Sequence, residues 1–341
     1  MHQHAAFTVR QRILVLGSGE VVGKRVVEQL ARSDWATPIA EHASDDATAT
    51  ANLELIPRMH STDERLLSRA LAGASGVVNC VAGSARNILD TARTLFEVAS
   101  RQTQTGALRI VHLSSMTVYG SVVGEVDESA PMRCDLSDYG SARVAAEELA
   151  GKQGSVVILR PGVDYGPEEK HWSERIARLL LARRLGDLGA PGDGCCNLVY
   201  VADVAAAVLQ ALRLTGIEGE TFNLGLPEPP TWNDYFIEYA RALRAVPVRR
   251  ISPRRLWIET RLLAPPLKIA EIITQRIGLP DHSPAPAIPP SLLRLCRQQL
   301  RLNVAKAESV LKLQWTPPHV GLTATAAWFT TRRENTRKNI I

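Results

Sequence analysis

The stretch Ile13-Leu14-Val15-Leu16-Gly17-Ser18-Gly19-Glu20-Val21-Val22-Gly23 restricts what this chain can become more than any other. Four apolar residues of strand length run into a glycine turn, and Val26, Val27 and Leu30 then repeat at helical spacing. The reading is a strand, a tight loop and a helix N-terminus. Such a junction aims unpaired backbone N–H groups and the positive end of a helix dipole at whatever the glycines admit, and a pyrophosphate fits there. Glycine turns after strands also arise for packing alone, so both readings stand on this segment taken by itself.

The rest of the chain repeats the rhythm. Pro38-Ile39-Ala40-Glu41 is a poor strand by propensity, but it stands where the second strand of such a unit belongs. Further strands are predicted at 53–56, from Gly76 to the small residues Val81, Ala82 and Gly83, at 108–113 ending in Ser114 and Ser115, and at 156–159. Helices are predicted between them at 65–71, 88–100 and 141–150. Strands alternating with helices in this way form a doubly wound parallel sheet. Past Arg160 the pattern loosens through Pro161, Gly162, Gly166 and Pro167, then gives a basic amphipathic helix at 172–185, a glycine loop at 189–194, a strand at 198–201, a small-residue helix at 203–212 and a strand at 221–224. The division read from this is a flexible N-terminus (1–12), a dinucleotide-binding domain of Rossmann type (13–165), a smaller, mostly helical substrate lobe (166–330) from which segments around 198–225 return to the core, and a basic tail (331–341). The proline-rich residues 280–290 are predicted to be irregular.

Three polar groups stand at element ends where a doubly wound sheet places its cleft: Ser115 after a strand, Tyr139 before a helix, and Arg143 one helical turn later on the same face. A phenol that exchanges a proton near neutral pH needs a neighbouring cation, and a serine hydroxyl can orient a carbonyl or alkoxide oxygen. Glu41 lies 24 positions after Gly17. An acid about twenty residues beyond such a loop accepts both hydroxyls of an adenosine ribose and repels a 2′-phosphate, which points to NAD with NADP as the lesser reading.

With these residues in view, the chain resembles the extended short-chain dehydrogenase/reductase superfamily, also called the NAD-dependent epimerase/dehydratase family. The resemblance rests on GSGEVVG (17–23), VVNCVAG (77–83), VHLSSMTVYG (111–120), YGSAR (139–143), LRPGVDYGP (159–167), VYVADVA (199–205) and TFNLG (221–225). It implies a Rossmann fold in which Gly17, Ser18, Gly19, Glu20, Val21, Val22 and Gly23 form the pyrophosphate loop, Glu41 and Asp63 meet the adenosine side, and Val81, Ala82 and Gly83 run beside the cofactor. Pro161 and Val163 would then border the nicotinamide. It further implies catalysis by Tyr139 as acid/base, with Ser115 orienting the reacting oxygen and Arg143 tuning the phenol, a structural role for Asp203, and a homodimer.

Two positions depart from the family pattern: the middle glycine of its loop is Glu20, and the lysine of its YxxxK motif is Arg143. Nucleotide-sugar members usually carry Asn where this chain has Val163 and often Arg where it has Cys196. The expectation is therefore an oxidoreductase acting on a ketone or secondary alcohol of a small substrate that is not a nucleotide sugar. The alternatives are a nucleotide-sugar epimerase or dehydratase, and a cofactor-binding protein with altered or lost catalysis.

Composition bounds the remaining choices. The 341 residues are 45% hydrophobic, with no uninterrupted apolar run long enough to cross a membrane, and a cytoplasmic protein is expected. Cys80, Cys134, Cys195, Cys196 and Cys296 form no CxxC pair, so no zinc site is expected. Residues 1–240 hold 22 Lys+Arg against 30 Asp+Glu, whereas 241–341 hold 18 against 5. The basic last third suggests an anionic substrate, a membrane surface or a partner with acidic groups, or else a solvated face; it lacks a nucleic-acid motif and an aromatic platform, so nucleic acid is not expected. Residues 254–278 mix apolar side chains with spaced charges and contain Pro265-Pro266, so they cannot span a bilayer. Two amphipathic helices packed on the core are expected there, with contact to a membrane surface as the lesser reading.

Overall fold

The computed structural model of the chain describes residues 10–41, 52–57, 60–102, 108–263 and 288–338, with the single positions 266, 267, 269 and 286. Ile13 to Leu16 lie in strand β1 (Gln11–Leu16) and are fully buried, as a strand covered by helices on both faces must be. β2 (Ala36–Glu41), β3 (Glu54–Ile56), β4 (Gly76–Asn79) and β5 (Arg109–Leu113) follow. β6 (Gly124–Val126), β7 (Val156–Pro161), β8 (Val163–Tyr165), β9 (Leu198–Tyr200), β10 (Thr221–Leu224) and β11 (Leu300–Leu302) complete the set. Seven of them form one sheet in the order β10-β7-β5-β4-β1-β2-β3, every pairing parallel.

Pro38 is tolerated within β2 because β3 begins to pair only at Ile39, so at the proline the strand has a neighbour on one side alone. Helices α1 (Val21–Arg32) and α6 (Val201–Arg213) cover one face, setting Val26, Leu30, Val204 and Val208 on Ile13, Val15 and Val78. On the other face α2 (Glu64–Leu71), α3 (Ala85–Gln102) and α4 (Asp138–Gly151) set Leu67, Phe96, Ala146 and Ala150 on Leu14, Leu16, Val77 and Ile110.

Register decides where a ligand can go. Leu16 pairs with Asn79, Asn79 with His112 and His112 with Ile158, so the carboxyl ends of β1, β4, β5 and β7 reach one edge together. The chain leaves β1 toward β2 and returns to β4 on the other side, and that reversal opens a crevice between the two loops.

Beyond β7 the structure refines the predicted division. β10 and α6 return to the central sheet, but β9 pairs with β8 in a separate two-stranded sheet, and β11 pairs with β6 in another. The lobe core gathers Trp232, Tyr235, Phe236 and Tyr239 of α7 (Trp232–Ala242), whose N-terminus is closed by a reciprocal Thr231–Asp234 capping box. Asp203 holds the lobe to the sheet by accepting hydrogen bonds from the backbone N–H and hydroxyl of Thr316, both at 2.7 Å. The final helix Pro318–Lys338 runs on through residue 330, where a separate tail is predicted from sequence. Of the two expected helices in 254–278, the part described packs Leu256 into the core as expected but leaves Trp257, Ile258, Leu262 and Leu263 exposed. Positions 264, 265, 268 and 270–278, and 280–285 and 287 of the proline-rich stretch, lie outside the described residues.

Candidate active site

Gly17 has a left-handed backbone (φ +72°), and a Cβ there would stand 2.9 Å from the backbone of Cys80 and Val81. A Cβ on Gly23 would stand 2.1 Å from the Gly17 carbonyl oxygen. The first turn of α1 therefore presses directly on the loop, and only glycine permits it. Gly19 faces open space. Glu20 sits at the helix N-cap with ordinary extended angles (φ −75°, ψ 157°), so the backbone demands no glycine at this position, and its exposed side chain makes no capping bond. Ser18 is buried, its Oγ accepting the Glu41 backbone N–H at 3.2 Å, which fixes the end of β2 beside the loop. Val21 and Val22 are half-buried in the first helical turn. Asp63 is the N-cap of α2, where Oδ1 accepts the N–H groups of Arg65 and Leu66, each at 3.0 Å. That capping work accounts for Asp63 without a ligand.

Arg143 is 4% exposed and ties three elements together. Its Nε donates to the Tyr139 hydroxyl at 3.2 Å, Nη1 to the Leu113 carbonyl at 2.7 Å and Nη2 to the Val81 carbonyl at 3.3 Å, with the guanidinium carbon 5.1 Å from the Tyr139 ring centre. Three of five N–H groups thus bind the ends of β4 and β5 and the phenol. Ser115 caps the turn Met116–Tyr119, its Oγ accepting from Thr117 N–H at 3.2 Å, so its own proton remains to donate. Val81 donates its N–H to Asn79 Oδ1 at 3.1 Å, and Ala82 and Gly83 (φ +97°) follow at the crevice.

That bond orients the Asn79 amide so that Nδ2 faces His112 Nδ1, at 3.2 Å, as donor. The ring is then neutral, with its proton on a buried Nε2 that has no partner among the described residues. Burial, then the nearby Arg143 charge, push His112 down to about 3. Between that value and the unfolded value near 6.5 the unfolded chain binds the extra proton. His112 therefore makes stability rise with pH through this window, by on the order of 4–5 kcal/mol across it. Comparing denaturant unfolding of wild type and His112→Gln from pH 4 to 7, the variant is expected to show a flatter pH dependence below about 6.5. Parallel curves would refute a buried neutral imidazole. The Asp164 and Glu169 pair described next contributes a slope of opposite sign, and it cancels in the difference.

Two groups of the site went unread in the sequence. Alternation along β8 puts Asp164 on the side opposite Val163 and Tyr165, which are buried in the lobe core. Its half-buried carboxyl is raised by burial and attracted by Arg143. Glu169, raised by burial and then by Asp164, accepts the N–H groups of His171, Trp172 and Ser173. Behind the site, Arg160 of β7 is enclosed by Glu147 of α4 (Nη2 to Oε2 2.6 Å) and by Tyr119 (Nη1 to Oη 2.8 Å), and Tyr119 donates to Asn223 of β10 at 2.7 Å. Tyr119, Arg160 and Asn223 all fall within the motifs quoted above, which was the available signal.

Pro161 ends β7 half-buried beside Gly162, where a Cβ would meet the Asn197 carbonyl at 2.1 Å. Val163 and Cys196 are 1% and 0% exposed, packed in the lobe core. After β8, Glu168 (φ +70°) accepts from Lys24 at 2.9 Å and Arg25 at 3.0 Å of α1.

Residues 13–225 match the NAD dependent epimerase/dehydratase family. Among solved structures, the fold is similar to that of UDP-glucuronic acid 4-epimerase from Bacillus cereus in complex with UDP-glucuronic acid and NAD (TM-score 0.69, 19% identity, 94% of this chain and 100% of that one). It is similar also to dTDP-glucose 4,6-dehydratase from Bacillus anthracis in complex with NAD (TM-score 0.71, 18% identity, 95% and 98% covered). UDP-glucose 4-epimerase from Thermotoga maritima, with UDP-glucose, gives a TM-score of 0.69 at 18% identity, with 94% and 99% covered. No curated protein matches this chain closely.

Proposed function

The chain belongs to the NAD dependent epimerase/dehydratase family, and from that premise we propose that it uses NAD to oxidise a secondary alcohol of a nucleotide sugar. The observation that carries the reading is the Tyr139 hydroxyl held at 3.2 Å by an Arg143 guanidinium that is itself anchored on the ends of β4 and β5. The cradle at Gly17 and Gly23, empty of Cβ atoms, and the open side at Gly19 fit a pyrophosphate at the N-terminus of α1. Glu41 at the end of β2 suits a ribose diol, which favours NAD over NADP. Bound there, NAD supplies the hydride acceptor. Tyr139 Oη takes the proton of the substrate hydroxyl, Arg143 Nε steadies the phenolate oxygen, and the Ser115 hydroxyl donates to the substrate oxygen as its charge develops. Arg143 itself exchanges no proton.

The non-nucleotide substrate expected from sequence finds no support among the similar structures, whose named ligands include UDP-glucuronic acid and UDP-glucose. One observation still favours it as a second reading: Val163 and Cys196 are wholly packed in the core and offer a diphosphate nothing. The test incubates the protein with NAD and, separately, UDP-glucose, UDP-glucuronic acid and cyclohexanol, following sugar protons by NMR and nicotinamide absorbance. Conversion of at least one of the two nucleotide sugars is expected. Oxidation of cyclohexanol alone would replace this reading with the second, and turnover of none would remove both.

A further inference from the structure

We propose that the helix Pro253–Ile258 and the wide turn Glu259–Leu263 continuing it dock the protein on an anionic lipid bilayer surface. A surface helix in water turns its charged face outward and its apolar face inward. Here Leu256 turns inward as expected, but the outward face carries Trp257, Ile258 and Leu262 among its arginines. Leu256, Glu259 and Thr260 face in, and the 4%-exposed Glu259 carboxylate accepts Arg184 Nε at 2.9 Å and Nη2 at 2.5 Å. The outward positions, at spacings of three and four, are Arg254, Trp257, Ile258, Arg261 and Leu262. Trp257 and Leu262 are each 57% exposed. The mixed outer face is specified by the fold, because the buried ion pair with Arg184 locks which side of the helix looks inward.

Charge selects the occupant. Glu259 is the one acidic residue between 253 and 263, and it is buried, so the outer face presents arginine and apolar side chains with no acid among them. Trp with Leu and Ile at one depth, flanked by Arg, is the composition of a segment lying in the headgroup layer. Among the described residues no helix is long and apolar enough to cross a membrane, so the contact is with the surface.

The experiment floats the full-length protein with vesicles of phosphatidylcholine alone and of phosphatidylcholine with phosphatidylglycerol. Binding to the anionic vesicles, weakened by salt, is expected, with little on the neutral ones. Trp257→Glu combined with Leu262→Glu should lower the bound fraction by about tenfold or more, with the circular dichroism spectrum and NAD affinity unchanged. Arg254→Glu with Arg261→Glu should abolish the preference for phosphatidylglycerol. Undiminished vesicle binding by the first variant would overturn the proposal. So would a wild type that ignores vesicles but sediments as a dimer which the same variant dissociates, for the face would then belong to a second copy of the chain.

Discussion

Replacing Tyr139 with Phe is expected to lower turnover by about a thousandfold while NAD affinity stays within a few-fold of wild type. The phenol is the one ionisable hydroxyl that Arg143 holds, and it projects from the first turn of α4 into the crevice where the ends of β4 and β5 meet. Removing that oxygen takes away the proton acceptor and leaves Arg143 with its two carbonyl anchors, so the cofactor cradle at the other side of the crevice keeps its shape. Steady-state kinetics gives the rate and calorimetry the affinity. A variant that turns over at the wild-type rate would move acid/base catalysis to another residue. A variant that loses affinity and rate together would make Tyr139 a binding residue.

The second large effect is on stability. Glu147→Ala should cost about 3–5 kcal/mol, seen in a chain of 341 residues as a fall in Tm of about 4–7 °C, because it strands the Arg160 charge in the interior. Arg160 and Glu147 are 5% and 3% exposed, and Arg160 also stacks 5.0 Å from the Tyr119 ring centre. Replacing the pair together, Glu147→Leu with Arg160→Met, should recover more than half of the loss, since the desolvation cost disappears with the charges. Tyr139, Arg143 and Glu147 follow at intervals of four along α4, so a loosened Glu147 also disturbs the seat of the phenol. Thermal unfolding of wild type and the two variants tests this. A double variant less stable than Glu147→Ala alone would mean that Arg160 is held chiefly by Tyr119 and the Glu128 carbonyl.

How far these features could be read from sequence follows from which interactions are local. The glycine turn, the strand–helix alternation and the pairing of Tyr139 with Arg143 depend on neighbours within one turn or one strand, and the linear pattern carries them. Arg143 itself was legible, but its anchors were not, because the carbonyls of Leu113 and Val81 lie 30 and 62 residues away. β9 reads like any short apolar strand, and nothing in Leu198-Val199-Tyr200 says that it pairs with β8 outside the main sheet. Asp164 stayed hidden because its chemistry comes from strand alternation within an otherwise apolar motif. The stretch 253–263 shows the limit most plainly. Periodicity reveals that a helix has two faces, but which one turns inward is set by Arg184, 75 residues earlier.

The claim on which the mechanism rests is that a dinucleotide sits on the turn between β1 and α1 with its reactive ring toward Tyr139. Calorimetric titration of NAD into wild type and Gly23→Ala tests it most directly, with Tm measured on both proteins to establish folding. Saturable binding to wild type is expected, weakened by about tenfold or more in the variant, because the added methyl would stand 2.1 Å from the Gly17 carbonyl and must displace the turn. Absence of heat with wild type, or equal affinity in a folded Gly23→Ala protein, would contradict the account.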